Sequence, residues 1–210
     1  MKKPKTPSCG YIVGIDEAGR GPLAGPVAVG AVMVERRFLK EFSVSFRGVK
    51  DSKKISAQKR EIWFKKLENA EQNGTVSFCV SFSGSGTIDK QGINAAITRS
   101  IAASLKGLSC PPRSSIILLD GGLHAPRMYR NQKTIIRGDE KIMIISLASI
   151  AAKVLRDRLM EKLSLQYPQY GLEQHKGYGT KEHFKKIKKH GLSKIHRRSF
   201  LKKHSTLMRS

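Results

Sequence analysis

The stretch YIVGIDEAGRGPLAGPVAVGAVMV, residues 11–34, decides the fold. Its flanks, 11–15 and 27–34, are apolar and rich in β-branched side chains, the composition of buried strands, while 19–26 between them holds three glycines and two prolines. The segment reads as a hairpin with an unusual connection. Two adjacent acids, Asp16 and Glu17, stand where the first flank runs out. Neighbouring side chains of a regular strand point to opposite faces, so both acids reach one site only if the strand ends or bulges there. Glycines at positions 14, 19 and 21 permit this, and the expectation is a break in the first strand at Asp16-Glu17.

Outward from this hairpin, residues 56–69 are expected to be helical and 75–82 alternate as a strand. Ile93, Ile97, Ile101 and Leu105 recur at four-residue spacing before Gly107 ends their helix. Residues 116–119 form another buried strand, ending in Asp120. After a short strand at 134–136 come Gly138-Asp139 and a long helical stretch over 141–163, rich in Ala, Leu and Ile. A last helix follows Thr180, a suitable N-cap, with Glu182 in its first turn and lysines towards Gly191, as the helix dipole favours. A hairpin followed by strands interleaved with helices indicates an α/β domain, a mixed sheet flanked by helices, closed by a basic helical C-terminal segment. At 210 residues the chain suits one domain over 11–210, with 1–10 as a basic tail and 171–210 as its basic helical part.

Forty Lys and Arg against sixteen Asp and Glu leave a net charge of +24, which predicts attraction to a polyanion, nucleic acid first. The charge is concentrated: residues 171–210 carry twelve Lys and Arg against two Glu. Such binding is non-specific, so charge alone names no substrate. Cys9, Cys79 and Cys110 are few, odd in number and without metal-ligand spacing, which argues against a disulfide framework or zinc site and fits a reducing cytoplasm. The longest apolar stretch, 142–152, is interrupted by Ser146 and Ser149 and is too short to span a bilayer. The start, MKKPKTPSCG, has charge but no apolar region of an export signal.

Carboxylates at the ends of apolar strands carry the chemistry. Ligands gather outside the carboxyl ends of strands in open α/β sheets, and Asp16, Glu17 and Asp120 stand there, with Asp139 at the start of the long helix. Clustered carboxylates raise one another's pKa unless a positive charge sits among them. Mg²⁺ or Mn²⁺ suits such oxygen ligands and, alone or in pairs, activates water and stabilises the charges of phosphodiester hydrolysis. Each acid has an ordinary structural reading as well: Asp120-Gly121 as a turn, Asp139 as a helix N-cap, Asp16-Glu17 as a solvated strand end. Four such positions in a chain so poor in acids favour the joint reading.

The segment GIDEAGRGPLAGPV, 14–27, resembles the signature of ribonuclease HII. DSKKIS at 51–56, LLDGG at 118–122, GD at 138–139, ASIAAKVLRD at 148–157, HKGYGTKEH at 175–183 and IHRRSF at 195–200 agree in order and approximate spacing. The resemblance implies a ribonuclease H-like fold and an endonuclease acting on the RNA strand of RNA/DNA hybrids. Its substrates would include single ribonucleotides embedded in duplex DNA, cut on the 5′ side to leave 3′-hydroxyl and 5′-phosphate ends. It also implies metal ligation by Asp16, Glu17, Asp120 and Asp139, and reading of the 2′-hydroxyl by the turn Gly19, Arg20 and Gly21. Tyr178 would pack on the following sugar with a flat apolar face that prefers deoxyribose, and Lys53 would contact phosphate. Ser149 and Thr180 are weaker candidates of the same kind, and for Lys153, Arg156 and Arg158 phosphate contact and simple helix lining stay open. A monomer is the family expectation. Ten residues before the first strand leave no room for the N-terminal domain of the sister type, ribonuclease HIII, and the chain ends soon after its last motif. Ile144, Ser146 and Leu147 depart from the small residues of the family, which touches helix packing more than chemistry, and Gly122 stands where the family often has a polar residue.

Two other functions compete. A non-catalytic RNA-binding protein explains +24 and leaves the acids idle. A metal-dependent nuclease of general DNA specificity shares the acids and has no use for the Gly-Arg-Gly turn with Tyr178.

Overall fold

Strand β1 (Tyr11–Ala18) is the centre of the molecule because both its faces are covered. The computed structural model describes residues 10–49 and 55–202. β1 pairs antiparallel with β2 (Val27–Glu35) along its whole length, from Tyr11 opposite Glu35 to Ala18 opposite Ala28. β2 pairs antiparallel with β3 (Ser77–Ser83). On its other side β1 runs parallel to β4 (Ser115–Asp120), and β4 to β5 (Gln132–Ile135). The sheet order is therefore β3-β2-β1-β4-β5. The expected strand break is absent: pairing with β2 continues through Asp16 and Glu17, and only the β4 ladder stops, at Ile15 opposite Leu119. The hairpin supplies hydrogen bonds to one edge of β1 that hold it straight past the point where its parallel neighbour leaves.

Between β2 and β3 lie α1 (Leu39–Ser45) and α2 (Ala57–Gln72), the latter capped by Ser56, whose Oγ accepts from the Lys59 N–H at 3.2 Å. α3 (Ser85–Gln91) and α4 (Ile93–Gly107) follow β3. Ile97, Ile101 and Leu105 of α4 pack on Val13, Ile15, Val29 and Ile117, filling one face of the sheet. The stretch expected as one helix from 141 is two, α5 (Gly138–Lys141) and α6 (Met143–Gln166), separated at Ile142, where the backbone turns extended. α6 lies on the opposite face with α2, burying Ile145, Ala148 and Ala151 against Val32, Phe64 and Leu67. This helix comes so close that a Cβ on Gly14 would sit 2.5 Å from the backbone of Ile144, and one on Gly30 would collide with the Ala148 carbonyl. Gly14 thus serves close packing and not a bend.

The C-terminal part adds α7 (Leu172–His175), α8 (Lys181–His190) and α9 (Arg198–Leu201). Its small core of Tyr170, Leu172, Ile187 and Leu201 packs on Met160 of α6 and on Leu23 and Ala24 of the β1–β2 connection. Thr180 caps α8 as expected, accepting from the His183 N–H at 3.2 Å. Among the described residues no helix is long and apolar enough to cross a membrane.

Candidate active site

The register of β1 on β4 builds the site. Ile15 stands opposite Leu119, so the next residues, Asp16 and Asp120, leave adjacent parallel strands at the same height. Asp139 arrives from α5, whose first two N–H groups, of Gly138 and Asp139, donate to Asp120 Oδ1 at 2.6 and 3.4 Å. The Ser146 hydroxyl of α6 donates to the Asp139 carbonyl. Asp16, Asp120 and Asp139 each then offer a carboxylate oxygen within 4.8 Å of the others, with Asp16 and Asp139 buried.

Burial drives the Asp16 carboxyl well above the usual carboxylate range, and the charge of Glu17 pushes the same way, against the Ser149 hydroxyl beside it. Its Oδ1 accepts the Glu17 N–H at 2.7 Å, while Oδ2 is buried without a hydrogen-bond partner. A buried, partnerless carboxylate oxygen among two other carboxylates is costly for a protein alone. It is the donor set a hard divalent cation requires, so the residues fit such an ion.

Glu17 does not join the three. It stands beside them, lining a cleft with Ser149 and Lys153 of α6, and its charge raises the Asp16 pKa. Its Oε1 accepts from Arg20 Nη1 at 3.0 Å, and Arg20 Nη2 donates to Asn94 Oδ1 of α4 at 2.6 Å. Asn94 had no signal in the sequence, since only the fold brings α4 to this turn.

Gly19, Arg20, Gly21, Ser149, Lys153 and Tyr178 line one cleft of about 330 Å³ together with Glu17. The Tyr178 ring is exposed, its edge 4.0 Å from where a Cβ on Gly21 would lie. Lys153 is paired with Asp157 at 2.7 Å at the rim of this cleft. Arg158 pairs with Glu61 away from it. Lys53 lies outside the described residues.

Arg156 resolves differently from either sequence reading. It is fully buried, and its Nε and Nη2 donate to the carbonyls of Pro26 and Lys176 at 2.9 and 3.1 Å. Arg197, equally buried, donates to the carbonyls of Gly19, Arg20 and Gly25 at 2.7, 3.0 and 2.9 Å. Burial lowers both guanidinium pKa values, that of Arg197 to about 9. Gly19, at φ +84°, takes the backbone shape this clamp needs, and a Cβ there would overlap Arg156. IHRRSF was recognisable as a motif; that its arginine reaches back to residues 19–25 was not.

The family model described as Ribonuclease HII matches residues 13–203. The chain belongs to the ribonuclease HII family. A ribonuclease HII of Caldicellulosiruptor bescii is 43% identical over 192 residues, 91% of this chain and 87% of that one. One of Prochlorococcus marinus is 41% identical over 191 residues, 91% and 88% of the two chains. Among solved structures, ribonuclease H2 from Pyrococcus horikoshii superposes with a TM-score of 0.72 at 26% identity, covering 95% of this chain and 99% of that one. Ribonuclease HII from Archaeoglobus fulgidus, solved as a complex with PCNA, gives 0.69 at 26% identity, with 95% and 97% covered. Membership in the ribonuclease HII family makes the chain a ribonuclease H-type endonuclease on a ribonuclease H-like fold, a mixed five-stranded sheet flanked by helices.

Proposed function

We propose that this ribonuclease nicks the RNA strand of RNA/DNA hybrids and the 5′ side of single ribonucleotides embedded in duplex DNA, leaving 3′-hydroxyl and 5′-phosphate ends. The observation that carries the reading is the adjacency of the carboxylate cluster to the cleft shared by the Gly19-Arg20-Gly21 turn and Tyr178. Asp16, Asp120 and Asp139, with Glu17 beside them, would hold Mn²⁺ or Mg²⁺. When bound, the metal supplies water activation and neutralises charge on the reacting phosphate. The chain's own residues do the rest. Backbone groups of the glycine turn approach the sugar closely enough to test for a 2′-hydroxyl, the group that separates RNA from DNA. Tyr178 offers a flat ring to the next sugar, and Ser149 holds Asp16. Lys53, at the phosphate, and Thr180, at the mouth of α8, complete the substrate contacts in this reading.

The test is a duplex carrying one ribonucleotide, incubated with Mn²⁺, Mg²⁺ or EDTA, with the nick mapped. A metal-dependent nick 5′ to the ribonucleotide is expected. Cutting of the all-deoxy analogue would favour a general DNA nuclease, and metal-independent binding without any cut an RNA-binding protein.

A further inference from the structure

Beneath Tyr178 lies a group of histidines that the reaction leaves unused. His183 and His196 are buried, and their Nε2 atoms face each other at 3.2 Å. His183 Nδ1 is 2.9 Å from the Tyr178 carbonyl, which also accepts the Thr180 N–H at 2.9 Å. The Ser193 N–H donates to His196 Nδ1 at 3.0 Å. His175 stacks on His183 at 4.3 Å between ring centres, accepts the Gly177 N–H on Nδ1 at 3.2 Å, and has Nε2 at 2.9 Å from the Tyr170 carbonyl.

These partners dictate where each proton sits. A carbonyl only accepts, so His183 carries its hydrogen on Nδ1 and has a bare Nε2. A backbone N–H only donates, so Nδ1 of His196 is bare and its hydrogen is on Nε2. The facing Nε2 atoms are then one donor and one acceptor. A second proton on either ring would set two N–H groups head to head. Burial acts in the same direction, pushing each ring down to about 4. The remaining titratable rings packed on the pair are His175, stacked on His183, and Tyr170, edge-on to His196.

The far end of this chain of hydrogen bonds is the recognition cleft. The Gly177 carbonyl accepts the N–H groups of Leu23 and Ala24 at 2.8 and 3.2 Å, tying the tyrosine loop to the glycine turn. We propose that His183 and His196 are positioning residues: as a neutral relay from Ser193 to the Tyr178 carbonyl, they set the height and tilt of the Tyr178 ring over the Gly19–Gly21 turn. The role rests on the reading of Tyr178 as a platform for the sugar after the ribonucleotide.

The readout is the ratio of kcat/KM for a duplex with one embedded ribonucleotide to that for a continuous RNA/DNA hybrid. General loss of fold or of metal affects both substrates and cancels. His183→Leu is expected to lower the ratio roughly tenfold, within the range that misplacing a binding group by less than an ångström costs. His183→Asn keeps a donor where Nδ1 stands but loses the link to His196, and should lower the ratio less than His183→Leu does. Tyr178→Ala is run beside them. If Tyr178→Ala lowers the ratio and His183→Leu does not, the relay is overturned and the platform stands. If Tyr178→Ala leaves the ratio unchanged, the platform fails and the relay with it. Two measurements on the wild-type protein need no variant to fold. Imidazole ¹⁵N–¹H spectra at pH 7 should give Nδ1–H for His183 and Nε2–H for His196, and a charged ring or the reverse tautomers would overturn the relay. The ratio itself should stay flat from pH 8 to about 5.5, since both rings remain neutral there; a step near 6.5 counts against it.

Discussion

Asp16 concentrates the cost and the use of the site in one side chain. Its folded pKa is raised, chiefly by burial, so the folded protein prefers the protonated acid and is destabilised as pH rises through the interval between the ordinary carboxylate value and the raised one. At neutral pH without metal, Asp16→Asn should therefore raise unfolding free energy, since the neutral amide removes a buried charge beside Glu17 and Asp120. With metal at a hundredfold over its Kd, the wild-type protein should gain about 2.7 kcal/mol and the variant nothing, with cutting abolished. Chemical denaturation in EDTA and in Mn²⁺ measures both; a variant less stable than wild type in EDTA would count against a site built for a cation. At this scale the acids were legible because carboxylates at strand ends are rare in so basic a chain. The partners of Glu17 were not, because Arg20 and Asn94 meet beside it only in the folded chain.

Elements with a strong period were readable: α2, α4 and α8 lie where their spacing and caps place them. The split of α5 from α6 was not, since a tertiary demand creates it, namely that Asp139 turn towards Asp120 before the helix resumes. The short helices α3, α7 and α9 have too few residues to show a period, and interactions between distant segments fix them, such as Asp89 accepting the N–H groups of Arg198 and Ser199 at 3.0 and 2.9 Å. The unit made by α7, α8 and the segment reaching α9 also carries a pH dependence. His183 and His196 are held near 4, below the usual 6.5, so the unfolded chain takes up protons that the folded one refuses. The stability they contribute is complete above about 6.5 and is lost as pH falls towards 4, at up to about 1.4 kcal/mol per pH unit for each ring. Tm between pH 7 and 4.5 should fall more steeply for the wild-type protein than for the double variant His183→Asn, His196→Gln; equal slopes would mean the rings are not held neutral.

Over the whole molecule, the densest positive charge and the carboxylate site lie on separate elements. The carboxylates and the cleft of Arg20 and Tyr178 occupy the end of the sheet, whereas the exposed lysines of α8, Lys181, Lys185, Lys188 and Lys189, lie on the helix that Thr180 starts at the edge of that cleft. The sequence made the excess of +24 plain and located its densest part, with lysines that suit both the dipole of their helix and a polyanion. Their exposure leaves them available to solvent, since packing of α8 rests on His183 and Ile187. Lysines that meet phosphates displace counterions and carry no base or sugar information, so they set affinity and its salt dependence. Neutralising Lys185, Lys188 and Lys189 together should weaken binding of any duplex or hybrid alike. It should also shallow the slope of log K against log salt by up to about 0.9 for each phosphate that the protein no longer neutralises. Binding measured with Asp120→Asn as background, from 50 to 200 mM salt, isolates this effect from cutting. The ratio of single-ribonucleotide to hybrid cleavage in the otherwise wild-type enzyme should not move. A change in that ratio with the slope intact would mean that α8 reads the sugar and does not simply hold the backbone.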